Sequence, residues 1–222
     1  WDISRRKMVK QLSGHSDVVT SVAFSSDSQQ IISGSLDGTA RVWQRSTGTC
    51  SCTYSEHPHW VVSLLVVKEE DLVLSAGRDQ TVRLWHYRTG KTERVYERPR
   101  SPRKAEYGHL ALKSNKVLWA GYDKMCLWDY RSASLLMTFK SSEESGAMQP
   151  FVDGDLRDDG LLAVTIGNEG EYRLWETGTG RCLRTAASKE PSWRALFLPD
   201  GGLVGGVRNV ISEVGAAHFL EN

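Results

Sequence analysis

The chain has 222 residues, 40% of them hydrophobic, which is enough for a sizeable core and excludes general disorder. Its 28 Lys and Arg nearly cancel its 27 Asp and Glu, so the whole lacks the positive field of a phosphate-driven nucleic-acid binder, and any such role falls to a local patch. Cys50, Cys52, Cys126 and Cys182 form no CxxC pair and have no pairing His nearby, which argues against a zinc site or disulfide framework and for reduced thiols inside a cell.

Taken in chain order, residues 1–7 contain no apolar signal core, and nowhere does a run of about 18 apolar residues occur. The expectation is an intracellular protein, cytoplasmic or nuclear, with no membrane partner. The chain begins without Met and in mid-pattern, as a fragment of a longer protein would. Residues 7–12 are predicted to be a lone strand. Residues 18–24 alternate as a half-buried strand does and close in the turn 25–28. Residues 30–33 and 39–43 form two further apolar runs around the turn Leu36-Asp37-Gly38, and a more polar strand follows the turn Thr47-Gly48. In that last strand the spacing of Cys50 and Cys52 places both side chains on one face.

The same series then recurs. Apolar runs at 72–75, 116–119 and 161–164 each precede a turn and then a run ending in Trp85, Trp128 or Trp175. With Trp1 and Trp43 these tryptophans are spaced by 42, 42, 43 and 47 residues, the period of a four-stranded β unit. Trp60, Trp119 and Trp193 fall outside the series. A fifth unit, with strands near 192–198, 203–207 and 210–214, ends near Phe219 where a Trp would fall.

Gly14-His15, Asp37 and Trp43 resemble the Gly-His, Asp and Trp of a WD (WD40) repeat, and the Trp-Asp ending stands at Trp1-Asp2 and Trp128-Asp129. The resemblance implies an all-β propeller of four-stranded antiparallel blades, with units near 13–56, 57–99, 100–140, 141–186 and 187–222 in a single domain. It also implies a hydrogen-bonded chain inside each blade, formed by His15, Ser33 or Ser35, Asp37 and Trp43 in the first and by His57, Ser75, Asp79 and Trp85 in the second. Both repeats set His to Asp at 22 residues and Asp to Trp at 6. The third repeat keeps Asp123 and Trp128 at a spacing of 5, with Gly108-His109 too near to be the same His, and the fourth has Glu169 for Asp and no matching His. Either five units close, with residues 1–12 completing the last blade and covering its edge, or they belong to a seven-bladed ring.

His15, Ser33 and Asp37, like His57, Ser75 and Asp79, have the composition of a catalytic triad. A triad would be singular, whereas these recur at the repeat period, so they are read as structural, with no catalytic residue, no metal and no cofactor. Gly-rich stretches lack the phosphate-loop pattern and are read as turns. From Lys91 to Lys104 runs a basic segment with Arg94, Arg98, Arg100, Arg103 and Lys104, read as a solvated loop that could alternatively track RNA. Ser101-Pro102 within it fits a phosphorylation site. Glu143, Glu144, Asp153, Asp155, Asp158 and Asp159 are read as an acidic connection, which with the basic loop would orient a charged partner.

In WD propellers the loops before the first strand and between the second and third share one face. On that resemblance Asp17, His59, Trp60, Arg78, Lys104, Tyr122 and Arg208 gather on one rim. The rim is expected to bind proteins or peptides, some phosphorylated, rather than a small-molecule substrate, as a scaffold or substrate-recognition adaptor. Trp and Arg dominate interface hot spots, and the alternative for Trp60 and Trp193 is packing between blades.

Overall fold

Short alternating runs punctuated by Gly and Asp turns produce strands and nothing else among the residues that the computed structural model describes: 2–68, 70–99, 108–121, 124–140, 150–167, 169–187, 192–198, 202–207 and 210–214. Two compact units divide the chain, Trp1–Val95 and Tyr96–Asn222.

The first unit is built on two sheets. β1 (Val19–Phe24), β2 (Gln30–Ser35), β3 (Ala40–Gln44) and β4 (Cys50–Tyr54) pair antiparallel in chain order, as do β5 (Val61–Val67), β6 (Leu72–Gly77), β7 (Thr81–His86) and β8 (Thr92–Glu97), within which the division falls. Alternation sends Ile32, Ala40, Val42 and Tyr54 of one sheet against Val61, Leu64, Val73 and Trp85 of the next, each fully buried apolar side chain being worth about 1.5–3 kcal/mol. Tyr54 stacks on Trp85 with centroids 4.3 Å apart. The inner strands are stitched directly: Thr20 Oγ1 donates to Val61 O at 2.8 Å, and Leu64 N donates to Ser21 Oγ at 3.2 Å.

Two features of this unit differ from the sequence reading. Residues 7–12 hold only an isolated bridge between Asp2 and Lys7; Lys10 Nζ instead donates to Ser46 O at 2.5 Å, so the segment lies along a turn rather than in a sheet. Cys50 and Cys52 do not share a face. A bulge at Ser51 pairs Cys50 with Trp43 and Cys52 with Val42, and consecutive partners point to opposite faces.

In the second unit, β9 (His109–Lys113), β10 (Lys116–Gly121), β11 (Lys124–Asp129) and β12 (Leu135–Lys140) form one four-stranded sheet and β13 (Phe151–Leu156), β14 (Leu162–Gly167), β15 (Glu171–Glu176) and β16 (Cys182–Ala187) another. β17 (Ser192–Phe197), β18 (Leu203–Val207) and β19 (Val210–Val214) make a three-stranded sheet. Leu118, Met125, Leu127 and Phe139 bury Phe151, Leu156 and Trp175, and Val164, Ile166 and Leu174 bury Ala195 and Leu203.

The turn after each series Trp is a repeated object. Gly48, Gly90 and Gly180 donate to the carbonyl four residues back with φ between 73° and 79°, a conformation open to Gly at no steric cost. In the third repeat Ala133 takes that place, with φ 57° and its N–H on Asp129 O at 3.0 Å.

Both charged segments need correction. β8 carries the basic stretch through Glu97, and Arg98, expected in a solvated loop, is buried. Asp153 and Asp155, expected in a connection, lie on β13 and are buried, and Asp158 and Asp159 occupy the turn that follows. Arg100, Ser101, Pro102, Arg103, Glu143 and Glu144 lie outside the described residues.

Candidate functional site

Each complete repeat holds one continuous polar chain. Trp43 Nε1 donates to Ser33 Oγ at 2.8 Å, Ser33 Oγ lies 2.8 Å from His15 Nε2, and His15 Nδ1 lies 2.8 Å from Asp37 Oδ2. The indole can only donate and the carboxylate only accept, so the hydroxyl donates to Nε2 and Nδ1–H donates to Asp37. The second repeat is the same: Trp85 Nε1 to Ser75 Oγ 3.1 Å, Ser75 Oγ to His57 Nε2 2.8 Å, and His57 Nδ1 to Asp79 Oδ2 3.1 Å. Ser33 is the member, since Ser35 donates to Asp17 O at 3.2 Å. Burial by itself would raise the Asp37 carboxyl, but hydrogen bonds from Thr39, His15 and Ser16 outweigh it and hold the group below the ordinary carboxylate range. Asp79 is likewise held down, burial being overcome by His57 and Thr81. Both seryl hydroxyls are buried and each is already bonded to an indole and an imidazole, which serves the interior of the sheet.

The eroded repeats show what replaces the chain. By strand register Trp119 takes the place of Ser33 and Ser75, and Cys126 opposes it where Arg41 and Arg83 oppose the serines. Arg98 lies over the Trp119 ring with its Cζ 5.5 Å from the centroid and donates from Nη2 to Gly121 O at 2.7 Å and Lys124 O at 3.1 Å. Trp128 Nε1 then donates to a backbone acceptor, Glu97 O, at 3.3 Å. In the fourth repeat Trp175 Nε1 donates to Thr165 Oγ1 at 2.9 Å. His15 and His57 each precede their Ser by 18 residues; the same count before Thr165 reaches Ala147, which lies outside the described residues.

These networks fix the loops that carry four of the expected rim residues. Trp60 precedes β5 and Arg78 follows β6; Arg78 N donates to Trp60 O at 2.8 Å, and the Arg78 guanidinium carbon sits 4.1 Å from the Trp60 ring centroid. Trp60 and Arg78 are half-buried, Asp17 and His59 exposed. The turn at Gly38 runs directly beneath this loop, because a Cβ there would stand 3.5 Å from His59 O. Asp17, the Gly38 turn, His59, Trp60 and Arg78 therefore occupy one edge of the first unit. Lys104, Tyr122 and Arg208 lie outside the described residues, as does the Trp193 side chain. Among the described residues no group of three or more His, Cys, Asp or Glu could hold a metal ion, and no helix is long and apolar enough to cross a membrane.

The Arg98–Trp119 pair is not legible in the sequence, and Asp153 and Asp155, legible as acids, are not legible as buried strand residues. The absence of a strand Ser before Trp128 was the available signal for the first. For the second it was the acidic pair at i and i+2, which in a strand shares a face.

Comparison with known proteins agrees with this geometry. Residues 6–44 and 48–86 match the model of the WD domain, G-beta repeat. Transducin beta-like protein 3 of Rattus norvegicus is 30% identical over 193 residues, 83% of this chain and 19% of the relative. THO complex subunit 6 of Arabidopsis thaliana is 44% identical over 50 residues, covering 22% of this chain and 14% of the relative. The U3 small nucleolar RNA-associated protein 15 homolog of Xenopus tropicalis is 39% identical over 61 residues, 28% of this chain and 12% of the relative. The chain thus spans about a fifth or less of the length of these relatives. A crystal structure of the computationally designed Ika8 protein superposes with a TM-score of 0.76 at 22% identity, covering 97% of this chain and 63% of the other, a likeness of fold. With two matched repeats, two His-Ser-Asp-Trp chains and four-stranded antiparallel sheets, the chain carries WD repeats and has the fold of the WD-repeat β-propellers.

Proposed function

We propose that the chain is a protein-interaction scaffold, without catalytic function, that presents the edge formed by Asp17, His59, Trp60 and Arg78 to a protein or peptide. The observation that carries this reading is the Arg78–Trp60 stack at 4.1 Å. It holds a large aromatic and a cation in place on a half-open edge, and pre-organised Trp and Arg side chains are what interface hot spots are made of. Ordering them beforehand removes part of the side-chain entropy, about 0.5–1.5 kcal/mol each, that binding would otherwise lose. The edge carries both the negative Asp17 and the positive Arg78, which favours a partner carrying both signs, and His59 is exposed on it. Lys104, Tyr122 and Arg208 complete the rim proposed from the sequence.

Affinity capture from cell extract, comparing the unaltered chain with a Trp60→Ala, Arg78→Ala double variant matched for folding by circular dichroism, tests it. The variant should lose specific proteins; recovery of the same set would dismiss the edge. An RNA-associated role is the second reading, favoured by relatives named for a small nucleolar RNA and for the THO complex. It rests on Arg94, Arg100, Arg103 and Lys104, since Arg98 is committed to Trp119 and two carbonyls. A steep loss of RNA affinity with salt that charge reversal at these four abolishes would support it.

A further inference from the structure

The inner strands of neighbouring sheets are stitched in two chemically different ways. In the first unit Ser21 on β1 accepts Leu64 N of β5 at 3.2 Å. By strand register Asp153 on β13 stands where Ser21 stands, and Ala195 on β17 where Leu64 stands. Asp153 Oδ2 accepts Ala195 N at 3.1 Å. One rung along, Asp155 Oδ2 accepts Phe197 N at 3.0 Å, so the neutral stitch has become a two-rung carboxylate ladder. Asp153 is 2% exposed, and its Oδ1 is buried with no hydrogen-bond partner among the described residues. An ionised carboxylate in that position leaves one oxygen's charge without a donor, which is costly in a low-dielectric interior.

We propose that Asp153 makes the junction between β13 and β17 protonation-dependent, so that the three-stranded sheet is held firmly when Asp153 is neutral and loosened when it is ionised. Burial pushes the Asp153 carboxyl up to about 7, against the bond from Ala195 N and the charge of Arg194, with Asp155 adding to the rise. The charged groups acting on it are Asp155 on its own strand and Arg194 on β17; the same two act on the half-buried His109 of β9, whose pKa is lowered by burial and by Arg194. The two signs differ. A carboxyl raised in the folded state contributes stability that is complete at low pH and is lost as pH rises from about 4 to about 7. A lowered His acts the other way, losing stability as pH falls through its ordinary value. Ser21, lacking a titratable proton in this range, gives the first unit no such response.

The test uses the whole 222-residue chain. The Ala195 amide resonance is followed by NMR from pH 5 to 9, and thermal unfolding from pH 4 to 8.5, in the unaltered protein, D153N, D153S and H109Q. The Ala195 resonance should titrate in one step near pH 7 in the unaltered protein and in H109Q, and stay flat in D153N. The Tm of the unaltered protein should fall by roughly 10 °C relative to D153N across the range. If D153N does not fold, D153S, which copies the Ser21 stitch, carries the same comparison. An Ala195 step that survives replacement of Asp153 or disappears in H109Q would overturn the proposal, as would a Tm difference from D153N that does not change with pH.

Discussion

Replacing Ser75 by Ala removes one oxygen and strands two buried groups. Trp85 Nε1 and His57 Nε2 both meet Ser75 Oγ, at 3.1 and 2.8 Å, and Ser75 is 0% exposed. Each unsatisfied buried polar group costs about 1–3 kcal/mol, and the loss of the hydroxyl itself creates almost no cavity, so the expected destabilisation is about 2–5 kcal/mol. The same change at Ser33, which is 6% exposed beside a half-buried His15, should cost less, because water can reach His15 when the loop breathes. Ser75→Thr should recover most of the loss, since Thr165 performs this role for Trp175 at 2.9 Å. Urea unfolding followed by indole fluorescence is the assay. With m near 2 kcal/mol/M for a unit of this size, S75A should lower the first unit's midpoint by roughly 1–2.5 M. A shift below about 0.3 M in S75A, or a larger shift in S33A than in S75A, would refute the idea that these networks act by satisfying buried donors and acceptors.

Three further outcomes follow from particular residues. Ala133→Gly should stabilise the second unit by about 1 kcal/mol, because Ala133 occupies a left-handed turn position held by Gly in the three other repeats; denaturant midpoints would report it. Arg98→Met should cost about 2–4 kcal/mol by removing the cation over Trp119 and leaving Gly121 O and Lys124 O without this donor, while RNA retention in a filter assay should not change. In acid, Asp37 and Asp79, both held below their ordinary pKa, contribute stability that is complete at neutral pH and lost as pH falls below about 4. Asp37→Asn should therefore flatten the acid limb of the first unit's stability profile measured by circular dichroism.

Repetition makes most of the architecture legible in the sequence. Trp43 and Trp85 mark complete repeats because two independent spacings agree, His to Asp at 22 and Asp to Trp at 6, and in each one imidazole touches both a Ser and the Asp. Where the repeat decays, the same rule stops working, since a missing Ser says that a network is gone and not what fills its space. Trp119 was visible as an odd tryptophan, yet its partner Arg98 sits 21 residues earlier in a stretch whose composition reads as solvent-exposed. Composition averages over a segment, whereas burial is decided side chain by side chain, and β8 turns alternate residues of that stretch inward.

Asp153 and Asp155 failed for a related reason. Neighbouring acids at 158 and 159 drew the whole cluster into a loop reading, although the i, i+2 spacing within residues 151–156 is that of a strand face. The physical constraint that places them is not local: each carboxylate accepts from a backbone N–H 42 residues away, in an edge strand whose alternate amides point away from the strand it pairs with. Comparable donors in the first unit are met by Ser21. At these two junctions the demand is the same, a backbone donor that must find an acceptor, while the residue that meets it is a hydroxyl at one and a carboxylate at the other. That difference is where a chain of nearly uniform sheets can acquire a junction that answers to protons.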